Sequence, residues 1–279
     1  ACPSSSIPAM DESKVDMKHS GAKEIVDYGN TEDTPETLSP VWSAGLTPHT
    51  PGTLAYLTSN GKRRFFYVVG HTGVVSDLKT GEQKFLRGHT SDITAMCLSK
   101  DRNIVVTAET GPDNIMVFWD TKSCTALKTI MSPFQEGVID ADMSADSRFV
   151  VALSKDRNPQ AIAIWDREHT SSKPVVKIEF KKGHEFQHCV RFNQSNQLEL
   201  LTNGKKKMVF WSWKGGRLVP HIPRKGISSI KAKVGWMTQS TFIPNSSKVT
   251  TITTSGNIVL WDNPIDVDEQ TSDGCVAVK

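Results

Sequence analysis

The chain has 279 residues, 37% of them hydrophobic and 23% charged, with a formal net charge of +3. That is the composition of a globular protein of one or two domains, and the net charge is too small to mark the whole chain as a binder of nucleic acid or membrane. No run approaches the roughly 20 apolar residues of a membrane span, and the opening Ala1-Cys2-Pro3-Ser4-Ser5-Ser6 has neither the basic nor the apolar region of a secretory signal.

Residues 1–39 contain one aromatic, Tyr28, and are rich in Ser, Pro, Thr, Asp, Glu and Lys. Such a segment cannot bury enough apolar surface to offset its ordering entropy, which predicts a disordered or extended N-terminal segment, with order beginning near Pro40-Val41-Trp42. From Thr53 onward, short β-branched or aromatic runs alternate with Gly, Asn, Asp and Ser turns. They include Phe65–Val69, Asn103–Thr107, Phe149–Leu153 and Asn257–Trp261. Runs of about five residues with regular punctuation predict an all-β fold over 40–262. Residues 263–279 are acidic and then Ser- and Gly-bearing, and read as a tail or linker. The five cysteines are odd in number and form no CxxC pair, which points to a reducing compartment rather than a disulfide framework.

The strands carry a period. Trp119-Asp120, Trp165-Asp166 and Trp261-Asp262 each close a run; Trp211-Ser212 does so with the acid replaced, and Ser76-Asp77 holds the same place earlier. The steps between these points are 43, 46, 46 and 50 residues, close to the roughly 40–45 residues of one four-stranded propeller blade. A Gly-His pair precedes two of the tryptophans, at Gly88-His89 and Gly183-His184. This pattern resembles the WD-repeat family over its full repeat length. The resemblance implies a β-propeller of about five blades, part of a seven-bladed ring, anchored at Asp77, Trp119, Trp165, Asp166, Trp211, Trp261 and Asp262. It also implies a hydrogen-bonded structural tetrad of His89, Thr107, Asp113 and Trp119, in which imidazole, hydroxyl and indole satisfy one another. The other blades depart from it: Glu136-Gly137 replaces Gly-His, Lys205 follows Thr202 where an Asp is expected, and Ser255 holds that place in the last.

Catalytic and metal-binding patterns are weak. Gly70-His71-Thr72-Gly73 reads as a turn rather than a phosphate loop, and no Gly-x-Ser-x-Gly elbow is present. His184 and His188 would converge on a metal only on a helix, and here they start a strand. The acids of Asp262–Asp273 do not match a calcium loop. The reading is therefore a non-enzyme with no cofactor and no metal. One local charge feature remains. Between Lys173 and Lys233 there are 14 Lys or Arg against three Glu and no Asp. Lys205, Lys206, Lys207, Arg224 and Lys225 are candidates for contact with an acidic partner such as a tubulin tail; a solvated basic rim is the plain alternative. Nucleic acid fits less well, because no aromatic platform interleaves with these charges in sequence.

Finer detail narrows the likeness. Pro40-Val41-Trp42-Ser43-Ala44-Gly45, Val74-Val75-Ser76-Asp77, Leu86-Arg87-Gly88-His89 and Thr107-Ala108-Glu109-Thr110-Gly111-Pro112-Asp113 occur in an order that resembles the WD-repeat cilia- and flagella-associated proteins of the calmodulin- and spoke-associated complex. The resemblance covers about residues 40–262. It implies a scaffold of the motile-cilium axoneme at the radial-spoke base, in the cytoskeleton, with other axonemal proteins as partners, tubulin as a further one, and no membrane. Two alternatives stay open: a soluble propeller adaptor for signalling or ubiquitin pathways, and a microtubule-binding propeller of the echinoderm-microtubule-associated-protein-like type.

Overall fold

A computed structural model describes residues 40–265 apart from 49, 51, 60, 61, 231 and 232, and the backbone of 275–278. The readings of 1–39 as an extended segment and of the acids from 266 to 273 lie outside the described residues. The described residues from Pro40 onward fold as one compact unit.

The described strands form five antiparallel four-stranded sheets, each from one contiguous stretch of chain. The first holds β1 (Leu54–Ser59), β2 (Lys62–Val69), β3 (Thr72–Asp77) and β4 (Gln83–Leu86). The second holds β5 (Ile93–Leu98), β6 (Ile104–Glu109), β7 (Ile115–Asp120) and β8 (Thr125–Met131). The third holds β9 (Val138–Met143), β10 (Phe149–Ser154), β11 (Ala161–Asp166) and β12 (Val176–Glu179). The fourth holds β13 (Gln187–Phe192), β14 (Glu199–Gly204), β15 (Met208–Lys214) and β16 (Arg217–His221). The fifth holds β17 (Met237–Phe242), β18 (Val249–Thr253), β19 (Ile258–Trp261) and β20 (Cys275–Val278). The architecture is all-β and of the β-propeller type, with five blades.

The middle strands were legible because both their faces are covered. All six residues of Ile104-Val105-Val106-Thr107-Ala108-Glu109 in β6 are buried, so the strand reads as a continuous β-branched run rather than an alternation. The outer strands lie at the sheet edge with one face exposed, as in Val176-Lys177-Ile178-Glu179, where Lys177 and Glu179 are exposed and Val176 and Ile178 half-buried, so each gives only a short alternation. β20 was missed for a related reason. It lies in the stretch read as a tail, yet it pairs antiparallel with β19, Val259 opposite Ala277. Four residues behind an acidic stretch carry no readable period, but without them β19 would present a row of unpaired backbone groups. The last blade therefore extends to residue 278.

One register recurs. Trp119 lies opposite Val105, Trp165 opposite Val150, Trp211 opposite Leu200 and Trp261 opposite Val249. Each indole is buried in a hydrophobic cluster that draws on its own sheet and the preceding one: Trp119 over sheets 1 and 2, Trp165 over 2 and 3, Trp211 over 3 and 4, and Trp261 over 4 and 5. Burying one indole is worth about 4–6 kcal/mol of gross transfer free energy, so these four side chains contribute heavily to the clusters that join neighbouring blades. The fifth sheet differs from the middle three. In β18 and β19 one face is buried, while the paired Ile252 and Ile258 of the other are 54% and 47% exposed.

Candidate functional site

The expected tetrad forms in part. His89, Thr107 and Trp119 meet in blade 2, all buried. The Trp119 indole N–H donates to Thr107 Oγ1 at 2.7 Å, and Thr107 Oγ1 lies 2.7 Å from His89 Nε2. The acid is not Asp113, which is exposed in the turn after β6. Glu109 takes its place. Its carboxylate accepts the backbone N–H of Thr90 and Ser91 through Oε2 and of Ile115 through Oε1, and Oε2 stands 3.5 Å from His89 Nδ1. Side chains alternate along a strand, so Thr107 and Glu109 share a face, and the longer Glu reaches from the strand what an Asp would reach from the turn. A Thr-x-Glu at the end of a buried run was the signal available. Burial pushes the His89 imidazole below its ordinary pKa, against the pull of Glu109. The neutral ring then accepts the Thr107 hydroxyl proton at Nε2 and turns its Nδ1–H towards Glu109, an assignment drawn from the network.

Elsewhere the tetrad shrinks. Trp211 donates to Thr202 at 3.1 Å and Trp261 to Thr251 at 2.9 Å. His184 does not join Thr202; its ring lies 4.9 Å from that of Phe180, and Nδ1 meets the Glu185 carbonyl. In blade 3 the register of the threonine is held by Ala152, and Trp165 donates to the Ser172 carbonyl. The repeat-end acids cap the following turns. Asp77 accepts Lys79 and Thr80 N–H, Asp120 accepts Lys122 and Ser123 N–H, and Asp166 accepts Glu168 N–H and the Arg148 guanidinium. Those bonds hold the Asp120 and Asp166 carboxyls below the usual range. Asp262 pairs with Lys248 at 3.3 Å.

Sequence reasoning missed a set of inner-strand positions. In blades 2 to 5 the pairing of the first two strands slips by one residue, at Thr94, Ile139, His188 and Thr238. A bulge bends the strand and re-aims the extra side chain. Two of these residues tie to the next blade: Thr94 Oγ1 donates to the Val138 carbonyl at 2.5 Å, and His188 Nε2 donates to the Thr238 carbonyl at 2.9 Å. Thr94, Ile139 and His188 line a cavity of about 430 Å³ with Asp92, Phe186 and Gln239. Arg191 reaches Asp140 at 2.6 Å in blade 3 and Gln239 at 2.8 Å in blade 5. Asp140 and Asp142 also accept the backbone N–H of Val190 and Phe192. Burial pushes the Asp142 carboxyl up to about 6, with Arg191 and the Phe192 N–H opposing. This clamp joins three blades with polar groups satisfied inside the fold. Cys97 and Cys189 are buried free thiols, and burial pushes Cys189 up to about 12.

The basic candidates fall on the face where these bulges open. Lys205, Lys206 and Lys207 form the exposed turn between β14 and β15. The Glu185 carboxylate accepts the N–H of Lys206 and Lys207 at 2.9 and 2.6 Å, and the Lys205 carbonyl accepts Met237 N–H from the next blade. Arg224 and Lys225 are exposed just before Gly226, which borders the Lys206 carbonyl. The expectation of cations without interleaved aromatics needs correction. Lys205 Nζ sits 4.5 Å from the Trp236 ring centre, and the Arg157 guanidinium 5.2 Å from that of Phe186. Neither ring is adjacent to its cation in sequence, so only folding pairs them. Two adjoining cavities of about 730 and 690 Å³, which share Arg157 and Phe186, run along this face over blades 3, 4 and 5.

The same stretch that builds these blades, residues 38–279, matches the family described as the CFAP251 N-terminal domain. The chain belongs to that family. It is 34% identical to cilia- and flagella-associated protein 251 of Tetrahymena thermophila, over 79% of this chain and 22% of that protein. With the protein of the same name from Chlamydomonas reinhardtii it is 31% identical, over 81% of this chain and 30% of the other. Human echinoderm microtubule-associated protein-like 4 is 25% identical over 83% of this chain and 24% of its own length. The chain thus spans less than a third of the length of these curated relatives. Family membership places the chain among cilium- and flagellum-associated proteins.

Proposed function

We propose that this chain is a non-enzymatic scaffold of the motile-cilium axoneme, holding subunits at the radial-spoke base together through propeller surfaces. The observation that carries the reading is the family match across the whole blade array. The geometry supports it: the tetrad braces blade 2 from within, the Arg191 clamp joins blades 3, 4 and 5, and Arg157, Phe186, Lys205 and Trp236 present a cation–aromatic face. The exposed pair Ile252 and Ile258 supports a ring with more blades than these five, seven as in the WD-repeat resemblance. The test is fractionation of a tagged chain in ciliated cells. Retention in salt-washed axonemes is the expected result; release with the detergent-soluble fraction would favour a soluble adaptor instead. A second reading, direct binding to microtubules, draws on the similarity to echinoderm microtubule-associated protein-like 4. Co-sedimentation of the purified chain with taxol-stabilised microtubules separates it from retention through other axonemal subunits.

A further inference from the structure

We infer that the cation–aromatic groove over blades 3, 4 and 5 is a binding site for an extended, carboxylate-rich peptide segment of a partner protein. This deepens the scaffold reading and rests on it only in taking that face as an interaction surface.

The first argument is size. Each of the two adjoining cavities falls in the range of specific binding clefts, roughly 300–1,000 Å³, at about 730 and 690 Å³. Joined through Arg157 and Phe186, they make a groove suited to an elongated ligand rather than a compact one.

The second is the sign of the charge. The groove is lined by Arg157, Lys181, Lys182 and Lys205. The one carboxylate among its lining residues, Glu185, has both oxygens engaged by the N–H groups of Lys206 and Lys207. Glu185 therefore organises the basic turn from beneath and leaves the exposed ammonium groups for a ligand. A cleft lined by one sign of charge concentrates the opposite sign and speeds its capture.

The third is preorganisation. Lysine and arginine side chains on a surface ordinarily lose rotamer freedom when they engage a carboxylate. Here the Lys205 ammonium already rests on the Trp236 ring and the Arg157 guanidinium on the Phe186 ring. A cation held over an aromatic face is partly desolvated and partly fixed before the ligand arrives. Trp236 is 51% exposed and makes no large contribution to the core; an exposed indole beneath an ordered lysine on a binding face is better explained by recognition than by stability.

The same geometry favours peptide over single-stranded nucleic acid. Base stacking needs open aromatic faces, and one face of each ring is occupied by the chain's own cation. Between the cations the lining is neutral: Thr238, Gln239 and Thr254 add no charge that would repel a carboxylate-rich chain.

The test uses the whole chain and a fluorescein-labelled synthetic peptide of about ten residues, alternating Glu with Ser, long enough at ~3.3 Å per residue to cross both cavities. Fluorescence anisotropy is read at about 50 mM salt, where surface electrostatics are least screened. Binding is expected, with the isosteric Gln–Ser peptide weaker by about tenfold or more. The double variant Arg157→Glu, Lys205→Glu should weaken the Glu–Ser peptide by about tenfold, whereas Lys214→Glu, Arg217→Glu on the β15–β16 hairpin should leave it within about twofold. Trp236→Phe should abolish the change in tryptophan emission on peptide addition while the variant keeps its wild-type melting temperature. Equal losses from the two double reversals would reduce the effect to net charge and overturn the proposal. So would equal binding of the Gln–Ser peptide, or tighter binding of a thymidine decamer. No measurement here depends on axonemal retention, so the groove can fail while the scaffold reading stands, and the reverse.

Discussion

Replacing Thr107 with valine keeps the shape of a side chain that is 1% exposed and deletes one hydroxyl. That oxygen lies 2.7 Å from both the Trp119 indole nitrogen and His89 Nε2, so the variant leaves two buried nitrogens dry and unpartnered. A buried polar group stripped of its partner costs about 1–3 kcal/mol. With part of that recovered by the added methyl group, the expected loss is about 2–4 kcal/mol. Thr202→Val is the internal reference. It breaks a single bond, from Trp211 at 3.1 Å, and is expected to cost about 1–2 kcal/mol. The fold already tolerates Ala152 at this register in blade 3, because Trp165 is rerouted to the Ser172 carbonyl; blades 2 and 4 show no such detour. Urea unfolding measures the two losses. Hydrogen exchange should accompany it, because a repeat array can open blade by blade, and the loss of protection should concentrate in β5, β6 and β7. If Thr107→Val costs no more than Thr202→Val, or if protection falls evenly across all blades, the hydroxyl is not the hub described here.

Three further outcomes follow from the same structure. Glu109→Gln replaces a buried acceptor of three backbone N–H groups and should cost about 1–3 kcal/mol, while Asp113→Asn, in the exposed turn, should stay within about 0.5 kcal/mol; denaturant midpoints decide, and the reverse order would restore Asp113 as the acid. Gly137 has φ +96°, and a Cβ there would run into the Glu109 carbonyl and the Thr110 backbone, whereas Gly183 has φ +81° with open space around it. Gly137→Ala should therefore lose about 2 kcal/mol or more and Gly183→Ala about 1 kcal/mol, and equal shifts in melting temperature would remove the crowding argument. Because burial raises the Asp142 carboxyl to about 6, the folded chain binds more protons than the unfolded chain between the ordinary carboxylate value and about 6, and this group's contribution to stability falls as pH rises through that window. Asp142→Asn keeps an acceptor for the Phe192 N–H and should gain on the wild type from about pH 4 to about pH 6, then level off. A difference in melting temperature that stays flat across the window would contradict this assignment.

The repeat was written in the sequence because its carriers act locally. A buried middle strand must be a short β-branched run, and a tryptophan at a fixed register must recur once per blade, so Trp119, Trp165, Trp211 and Trp261 announced the architecture unaided. His89 and Thr107 were legible for the same reason, since the distance between them is set by the blade itself. The acid was not, because reach decides it: Glu109 extends from the strand to where Asp113 in the turn cannot turn back. β20 escaped notice because an edge strand has one covered side and almost no pattern. The groove lay furthest from view. Lys205 and Trp236 stand 31 residues apart, and Arg157 and Phe186 stand 29 apart; each pair meets only where loops of neighbouring blades converge over the bulged inner strands. Periodicity, a property of nearest neighbours along a strand, determined the blades; contact between blades, which no period records, decided which cations and rings share a face.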